Sequence, residues 1–178
     1  YTPRLAVSLN NLANLLSEVG ERNEALVAAR EAVRLRRVLA EASPQAYTPD
    51  LAASLNNLAA FLSEVGERNE ALEAARKAVE LYRGLADASP QAYTPNLAMS
   101  LNNLAKRFSA VGERNEALEA AREAVALYRE LAEDSPAAYT PHLAMSLSNL
   151  ANCLSEVGQT EKALKLKREA RKLVDDLP

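Results

Sequence analysis

The sequence consists of one unit of 46 residues that occurs four times, and this internal repeat restricts the fold more than any other feature. The tripeptide Tyr-Thr-Pro opens the copies at Tyr1, Tyr47, Tyr93 and Tyr139. Between residues 1–46 and 47–92, 36 of the 46 positions are identical. Copies this similar occupy nearly the same surroundings, as in a stack in which each repeat contacts only its neighbours.

Each unit contains two segments with the apolar spacing of a helix. In the first half of the unit, apolar residues recur every three or four positions and form one apolar stripe. A second stripe, rich in alanine, follows in the other half. We predict a helix A over residues 3–19 and a helix B over residues 24–42, so that each copy is an antiparallel helical hairpin and the chain is all-α.

Residues typical of caps and turns mark the ends of these helices. Thr2 before Pro3 predicts the N-cap and first turn of helix A. Gly20 predicts its end, because glycine adopts the left-handed turn conformation without strain, and Asn23 is the predicted N-cap of helix B. The Ser-Pro pair at residues 43–44 is expected to close the unit.

The repeated apolar and glycine positions resemble the signature of the tetratricopeptide repeat. In the first copy these positions are Leu9, Leu12, Ala13, Leu16, Gly20, Ala25, Ala29 and Ala32. The unit length is similar to the extended repeats of kinesin light chains and of bacterial repeat proteins. The resemblance implies a right-handed superhelical α-solenoid in a single domain over residues 1–178. Its four repeats are 1–46, 47–92, 93–138 and 139–178, the last acting as a C-terminal cap.

Composition excludes several other classes of function. The formal net charge is −3, so no overall positive field exists to hold nucleic acid or an anionic membrane. One cysteine and one histidine cannot build a disulfide framework or a structural zinc site. The sequence has no phosphate-binding loop and no nucleophile motif. We therefore expect no enzyme activity, no cofactor, no catalytic residue and no metal site.

Cellular location and origin are inferred from the same composition. No apolar run reaches the roughly 18 residues of a membrane span, and no signal peptide opens the sequence. We expect a cytoplasmic protein that does not insert into a membrane. The lack of isoleucine indicates a GC-rich bacterial gene, although a designed consensus would show equally similar copies.

One face of helix A combines asparagines with positions that differ between copies. The resemblance implies that this face lines a concave groove, where a carboxamide can donate and accept hydrogen bonds with an extended peptide. The alternative for Asn11, Asn57, Asn103 and Asn149 is a ladder of hydrogen bonds between repeats. The predicted peptide-binding residues are Asn10, Asn11, Asn14, Asn56, Asn57, Met99, Asn102, Asn103, Lys106, Met145, Asn149 and Asn152.

The predicted groove is nearly neutral, which narrows the kind of partner. Lys106 supplies its main positive charge, so we do not expect recognition of a C-terminal carboxylate. Met99 and Met145 suit the apolar side chains of an extended segment. The leading interpretation is a scaffold that binds a protein or peptide partner. The alternative is a structural spacer or self-association module attached to a larger signalling protein, and RNA binding ranks third because basic and stacking residues are few.

The two ends of the repeat array differ in sequence. In the last copy Lys167 and Arg171 replace the small apolar residues found at Ala29 and Val33, so we expect a solvated face that caps the array. A basic docking patch is the alternative. The first copy has no polar cap, which predicts further repeats or another domain before Tyr1, or self-association through this end.

Three further positions predict contacts within the chain. An arginine occupies the same place in every helix B, which indicates an intramolecular ion pair; these residues are Arg30, Arg76, Arg122 and Arg168. Leu15 and Phe61 are predicted to lie between helices. Tyr82 and Tyr128 are predicted to pack near the junctions between repeats.

Overall fold

The computed structural model describes residues 1–175, and within this range the chain forms eight helices and no strand. The helices are α1 (Thr2–Glu18), α2 (Arg22–Ala42), α3 (Pro44–Glu64), α4 (Arg68–Ala88), α5 (Pro90–Val111), α6 (Arg114–Asp134), α7 (Pro136–Glu156) and α8 (Thr160–Asp175). The all-α prediction is confirmed. None of these helices has the length and hydrophobicity needed to cross a lipid bilayer.

The chain divides into two compact units, Tyr1–Leu85 and Ala86–Pro178. In the first unit α1 packs on α2, and α2 packs on α3. In the second unit α5, α6, α7 and α8 pack in succession, and α5 also contacts α7. Within each unit, consecutive helices therefore pack as they do in a stack of helical hairpins, with α2 between α1 and α3 and α6 between α5 and α7.

A glycine turn joins helix A to helix B in every copy. Gly20 has a φ of 86°, and its amide donates to the carbonyl of Ser17 at 3.0 Å, while the Glu21 amide donates to the carbonyl of Leu16 at 2.8 Å. This pair of bonds is the Schellman motif, which requires a left-handed residue. The turn recurs at Gly66, Gly112 and Gly158. The predicted end of helix A is confirmed.

The starts of the later A helices differ from the prediction. Helix α3 begins at Pro44, so Ser43 precedes a helix and does not close the unit with a loop. Ser43 is also the first residue beyond α2, and its extended backbone (φ −148°, ψ 81°) makes the connection in a single residue. Thr48 and Pro49 consequently lie inside α3 rather than at its start, and Thr2 is already the first residue of α1.

Helix B also begins earlier than predicted. Helix α2 starts at Arg22, with Glu21 in the N-cap position and no side-chain cap. The Ala25 amide donates to the carbonyl of Glu21 at 2.9 Å, so the first helical hydrogen bond already forms there. The prediction of Asn23 as N-cap is therefore wrong, because the glycine turn leads directly into the helix.

Small residues form the contact between helices A and B. Ala13 of α1 and Ala25, Ala29 and Ala32 of α2 are buried, which allows the close packing typical of protein interiors. Tyr82 and Tyr128, predicted to pack near the junctions between repeats, are each 2% exposed.

The prediction that Leu15 and Phe61 lie between helices is confirmed for Phe61 only. Phe61 is buried at 5% exposure, as predicted, but Leu15 is 60% exposed. The counterpart in the last copy, Cys153, has its Sγ 4.0 Å from the Ser109 Oγ of α5. This position therefore faces the preceding helix A. Leu15 is exposed because α1 is the first helix of the structure.

Candidate functional site

One side of helix A in the second unit carries exposed or half-buried side chains at four positions per repeat. On α5 these are Met99, Asn103, Lys106 and Ala110. On α7 they are Met145, Asn149, Asn152 and Glu156. Spacings of four, three and four residues place each set on one side of its helix. Since α5 contacts α7, the two stripes lie next to each other.

A cleft of about 190 Å³ lies between α5 and α7. Its lining includes Lys106, Asn149, Asn152 and Glu156 from the two stripes, together with the buried Ala105. Sites for drug-sized molecules measure roughly 300–1,000 Å³, so this cleft is too small for such a ligand.

Cys153 also lines the cleft, and its thiol has low reactivity. Burial raises the pKa of its thiol, and the hydrogen bond with the Ser109 hydroxyl only partly opposes this effect. A thiol with a raised pKa is a poor nucleophile because little thiolate forms. Within residues 1–175, no group of three or more His, Cys, Asp or Glu side chains is placed to hold a metal ion.

The first asparagine of each Asn-Asn pair packs inside the structure. Asn102 is 2% exposed, and its Oδ1 accepts a hydrogen bond from the Ser146 Oγ of α7 at 3.1 Å. Asn56 is 7% exposed, while Asn10 is half-buried with its Oδ1 enclosed. Burial leaves the side chains of Asn56 and Asn102 little surface for the peptide contact predicted from the sequence.

The next position along each helix A is less buried. It carries Asn11, Asn57 and Asn103, the second asparagines of the three pairs, and Asn149, which follows Ser148. Asn11 is exposed and the others are half-buried, with the Nδ2 of Asn149 enclosed. Over the described part of the chain, none of the four forms a side-chain hydrogen bond. A ladder through this row, the alternative drawn from the sequence, is thus not formed there. The hydrogen bond between A helices belongs to the neighbouring row at Asn102.

The first unit carries the corresponding stripes. On α1 they comprise Val7, Asn11, Asn14 and Glu18, all exposed. On α3 they comprise Ala53, Asn57, Ala60 and Glu64, half-buried except for the glutamate. The Ser17 Oγ of α1 donates to the Glu64 Oε2 of α3 at 2.9 Å and links the two helices at this end.

Two contacts between helices were not predicted from the sequence. Arg36 is buried, and its Nη1 donates to the backbone carbonyl of Asp50 at 2.8 Å and to the Ser54 hydroxyl. The Tyr128 ring stacks on His142, with ring centroids 5.7 Å apart and planes 11° from parallel. Serine occupies the position of Ser54 in all four copies, beside the apolar stripe. This repeated polar residue was the feature of the sequence that could have indicated the contact with Arg36.

The predicted arginine ion pair is present in the first unit. The Arg30 Nη2 of α2 lies 2.7 Å from the Glu70 Oε2 of α4, and both side chains are about half exposed. A second exposed pair joins Arg129 of α6 to Glu169 of α8 at 2.8 Å. Lys167 and Arg171 of α8 are exposed.

Comparison with known proteins agrees with this architecture. Two models of the tetratricopeptide repeat family match residues 50–130 and residues 5–45, about two thirds of the chain in total. No curated protein matches the sequence.

Solved structures with the same fold have low sequence identity. BtubC (BKLC) from P. vanneervenii is 17% identical with a TM-score of 0.81 over 98% of this chain and 65% of its own. The apo form of RapI is 17% identical with a TM-score of 0.77 over 97% and 56%. MamA is 16% identical with a TM-score of 0.65 over 96% and 78%. The chain thus spans less than two thirds of the length of the first two proteins.

Proposed function

Because the chain belongs to the tetratricopeptide repeat family, we propose that it is a scaffold that binds an extended segment of a partner protein along the exposed face of helix A. Repeats of this family generally mediate protein–protein interaction. The resemblance to the family implies that this face lines a concave groove. The observation that carries the proposal is the pair of asparagines that each unit carries on this face, Asn11 and Asn57 in the first and Asn103 and Asn149 in the second. Within residues 1–175 none of these side chains forms a hydrogen bond.

The asparagine row has an energetic cost that the fold alone does not offset. Asparagine inside a helix is less favourable than alanine by roughly 0.5–0.7 kcal/mol. Asn102 offsets this cost through its bond with Ser146, whereas Asn103 has no such bond. Hydrogen bonds to the backbone of a partner would offset the cost at Asn103, since a carboxamide both donates and accepts.

The side chains around this row define the chemistry of the bound segment. Met99 and Met145 are each exposed by about two fifths, and methionine adapts to apolar groups of varied shape. Lys106 and Glu156 place one positive and one negative charge at the cleft. We therefore expect an extended segment with apolar side chains and little net charge, with one side chain in the cleft between α5 and α7.

Peptides selected from a random display library for binding to the wild-type chain supply the probe. Binding of a fluorescein-labelled selected peptide is measured by fluorescence anisotropy. Asn103→Ala and Asn149→Ala should each weaken binding by about 1 kcal/mol, which is about fivefold in Kd, through one lost hydrogen bond.

Asn115→Ala is the matched control, since Asn115 is an exposed asparagine in the first turn of α6, away from the stripes. It should leave the Kd unchanged. If Asn103→Ala and Asn149→Ala also leave the Kd unchanged, or if Asn115→Ala weakens binding equally, the assignment of the binding face is wrong.

A further inference from the structure

The cleft between α5 and α7 lies at a position where the first unit carries a much larger residue. Phe61 of α3 is buried, and its equivalent in α7 is Cys153, which lines the cleft of about 190 Å³. A cysteine side chain occupies far less space than a phenylalanine ring. The space that Phe61 fills in the first unit therefore stays open in the second.

The two units also differ in the hydrogen bond between successive A helices at this end. In the first unit the Ser17 Oγ of α1 donates to the Glu64 Oε2 of α3 at 2.9 Å. The equivalent residues of the second unit, Ser109 and Glu156, do not form this bond. The Ser109 Oγ instead lies 4.0 Å from the Cys153 Sγ. The Glu156 carboxylate therefore lines the cleft without a partner from α5.

A second charge without a partner lines the same cleft. Lys106 of α5 stands where the first unit has the neutral Asn14 and Ala60. Lys106 and Glu156 are both exposed, and over residues 1–175 neither forms an ion pair or a side-chain hydrogen bond, with the other or with a third residue. The cleft therefore presents one ammonium group, which only donates hydrogen bonds, and one carboxylate, which only accepts them.

Charge complementarity decides which side chain of a bound segment suits this cleft. An acidic side chain is attracted by Lys106 but repelled by Glu156, and a basic side chain meets the reverse. An apolar side chain displaces water from both charges and offers no hydrogen bond in return. A carboxamide is uncharged, and its oxygen accepts from an ammonium group while its NH₂ group donates to a carboxylate. It complements both charges at once.

We propose that the cleft between α5 and α7 is a specificity pocket for a carboxamide side chain, asparagine or glutamine, of the bound segment. Lys106 donates to the carboxamide oxygen, and Glu156 accepts from the carboxamide nitrogen. Cys153 determines the specificity indirectly, because its small side chain keeps the pocket open. This inference rests on the proposed function and names one residue of the segment that the helix A face binds.

Selection from a random peptide display library tests the pocket on the whole chain. Peptides that bind the wild-type chain should be enriched in asparagine or glutamine at one position. Leucine in place of that residue should raise the Kd of a labelled selected peptide about fivefold or more. Cys153→Phe introduces the residue that the second copy carries at this place, so it should fill the pocket and remove the enrichment.

Charge variants of the pocket should change which residue is selected. Lys106→Glu leaves two carboxylates at the cleft and should shift the enrichment to lysine or arginine. Glu156→Lys leaves two ammonium groups and should shift it to aspartate or glutamate. The double variant Lys106→Glu/Glu156→Lys again has one charge of each sign and should restore asparagine or glutamine. Lys165→Glu, at an exposed position of α8 outside the cleft lining, is the charge-matched control and should keep the wild-type enrichment.

Three results would overturn the specificity pocket. They are wild-type binders without a preferred carboxamide, a folded Cys153→Phe variant that keeps the enrichment, and charge variants that select the same residues as Lys165→Glu. If Cys153→Phe fails to fold, the charge variants decide, because their substitutions are at exposed positions.

The proposed function fails in a different way. Its failure is a set of selected peptides whose Kd does not change in Asn103→Ala and Asn149→Ala, whatever residue they place in the cleft. A library that yields no binder to the wild-type chain overturns both proposals.

Discussion

The Ser146 hydroxyl on α7 donates a hydrogen bond to the Asn102 Oδ1 on α5 at 3.1 Å, and both side chains are buried. The bond joins two successive A helices of the second unit. Asn103, the next residue along α5, lies half-buried at the surface and has no such bond. The two adjacent asparagines thus have different surroundings, and they should respond differently to substitution.

Ser146→Ala should lower the free energy of unfolding by about 1–3 kcal/mol. The reason is that Asn102 Oδ1 would remain buried without a donor. Urea denaturation followed by circular dichroism measures the change. Ser155→Ala is the matched control, since the exposed Ser155 hydroxyl bonds only the Ala151 carbonyl of its own helix. Equal destabilisation by the two variants would contradict a stabilising contact between α5 and α7.

Asn103→Ala should instead raise the free energy of unfolding by roughly 0.5 kcal/mol. Alanine is the better helix former, and no internal hydrogen bond is lost. Asn102→Ala should lower the same quantity, because the Ser146 hydroxyl loses its acceptor. The two variants are compared in the same urea titration. A loss of stability in Asn103→Ala would mean that this side chain serves the fold, which would remove the main support for the proposed binding face.

Sequence periodicity was sufficient to predict the helical hairpins and the glycine turns. The repeated leucines and alanines define the apolar stripes, and Gly20 ends helix A where expected. The starts of the helices were harder, because Ser43-Pro44 and Thr48-Pro49 are equally good local signals for a helix start. Only the packing of α2 on α3, which leaves Ser43 as a one-residue connection, decides between them.

The candidate site could be predicted only in part, for a geometric reason. Asn102 and Asn103 are the same residue type, and adjacent helix positions point about 100° apart. Which of the two asparagines faces α7 depends on how α5 is rotated about its own axis. That rotation is set by packing against helices distant in sequence. The buried Arg36 was missed similarly, since its partners, the Asp50 carbonyl and the Ser54 hydroxyl, belong to the following helix.

Two glycines in the second copy should respond in opposite ways to alanine. Gly66 has a φ of 88° in the turn after α3, a conformation that costs an L-residue roughly 1–2 kcal/mol. Gly84 lies inside α4 with no atom within 4 Å of an added Cβ. Gly66→Ala should therefore destabilise the chain, whereas Gly84→Ala should stabilise it by roughly 0.5–1 kcal/mol. Thermal and urea unfolding measure both, and a shift of the same sign in the two variants would contradict the turn geometry.

Tyr128 makes the stability of the chain depend on pH in the alkaline range. Burial raises the pKa of its phenol to about 12, and the nearby Tyr139 adds to the shift. In the unfolded chain a tyrosine titrates near its ordinary pKa of about 10. The folded state therefore binds the phenolic proton more tightly than the unfolded state does. The resulting stability is complete below about pH 10 and is lost as the pH rises from about 10 to 12.

Tyr128→Phe removes this titration and keeps the ring that stacks on His142. Urea unfolding at several pH values between 9 and 12 should show that the wild-type chain loses stability more steeply than the variant. Below pH 10 the difference between the two proteins should be constant, because the phenol is then protonated in both states. Tyr93→Phe, at a half-buried tyrosine of α5, is the control and should retain the steep wild-type profile. If Tyr128→Phe and the wild-type chain have parallel profiles up to pH 12, the loss of stability arises from other groups and the buried phenol does not control it.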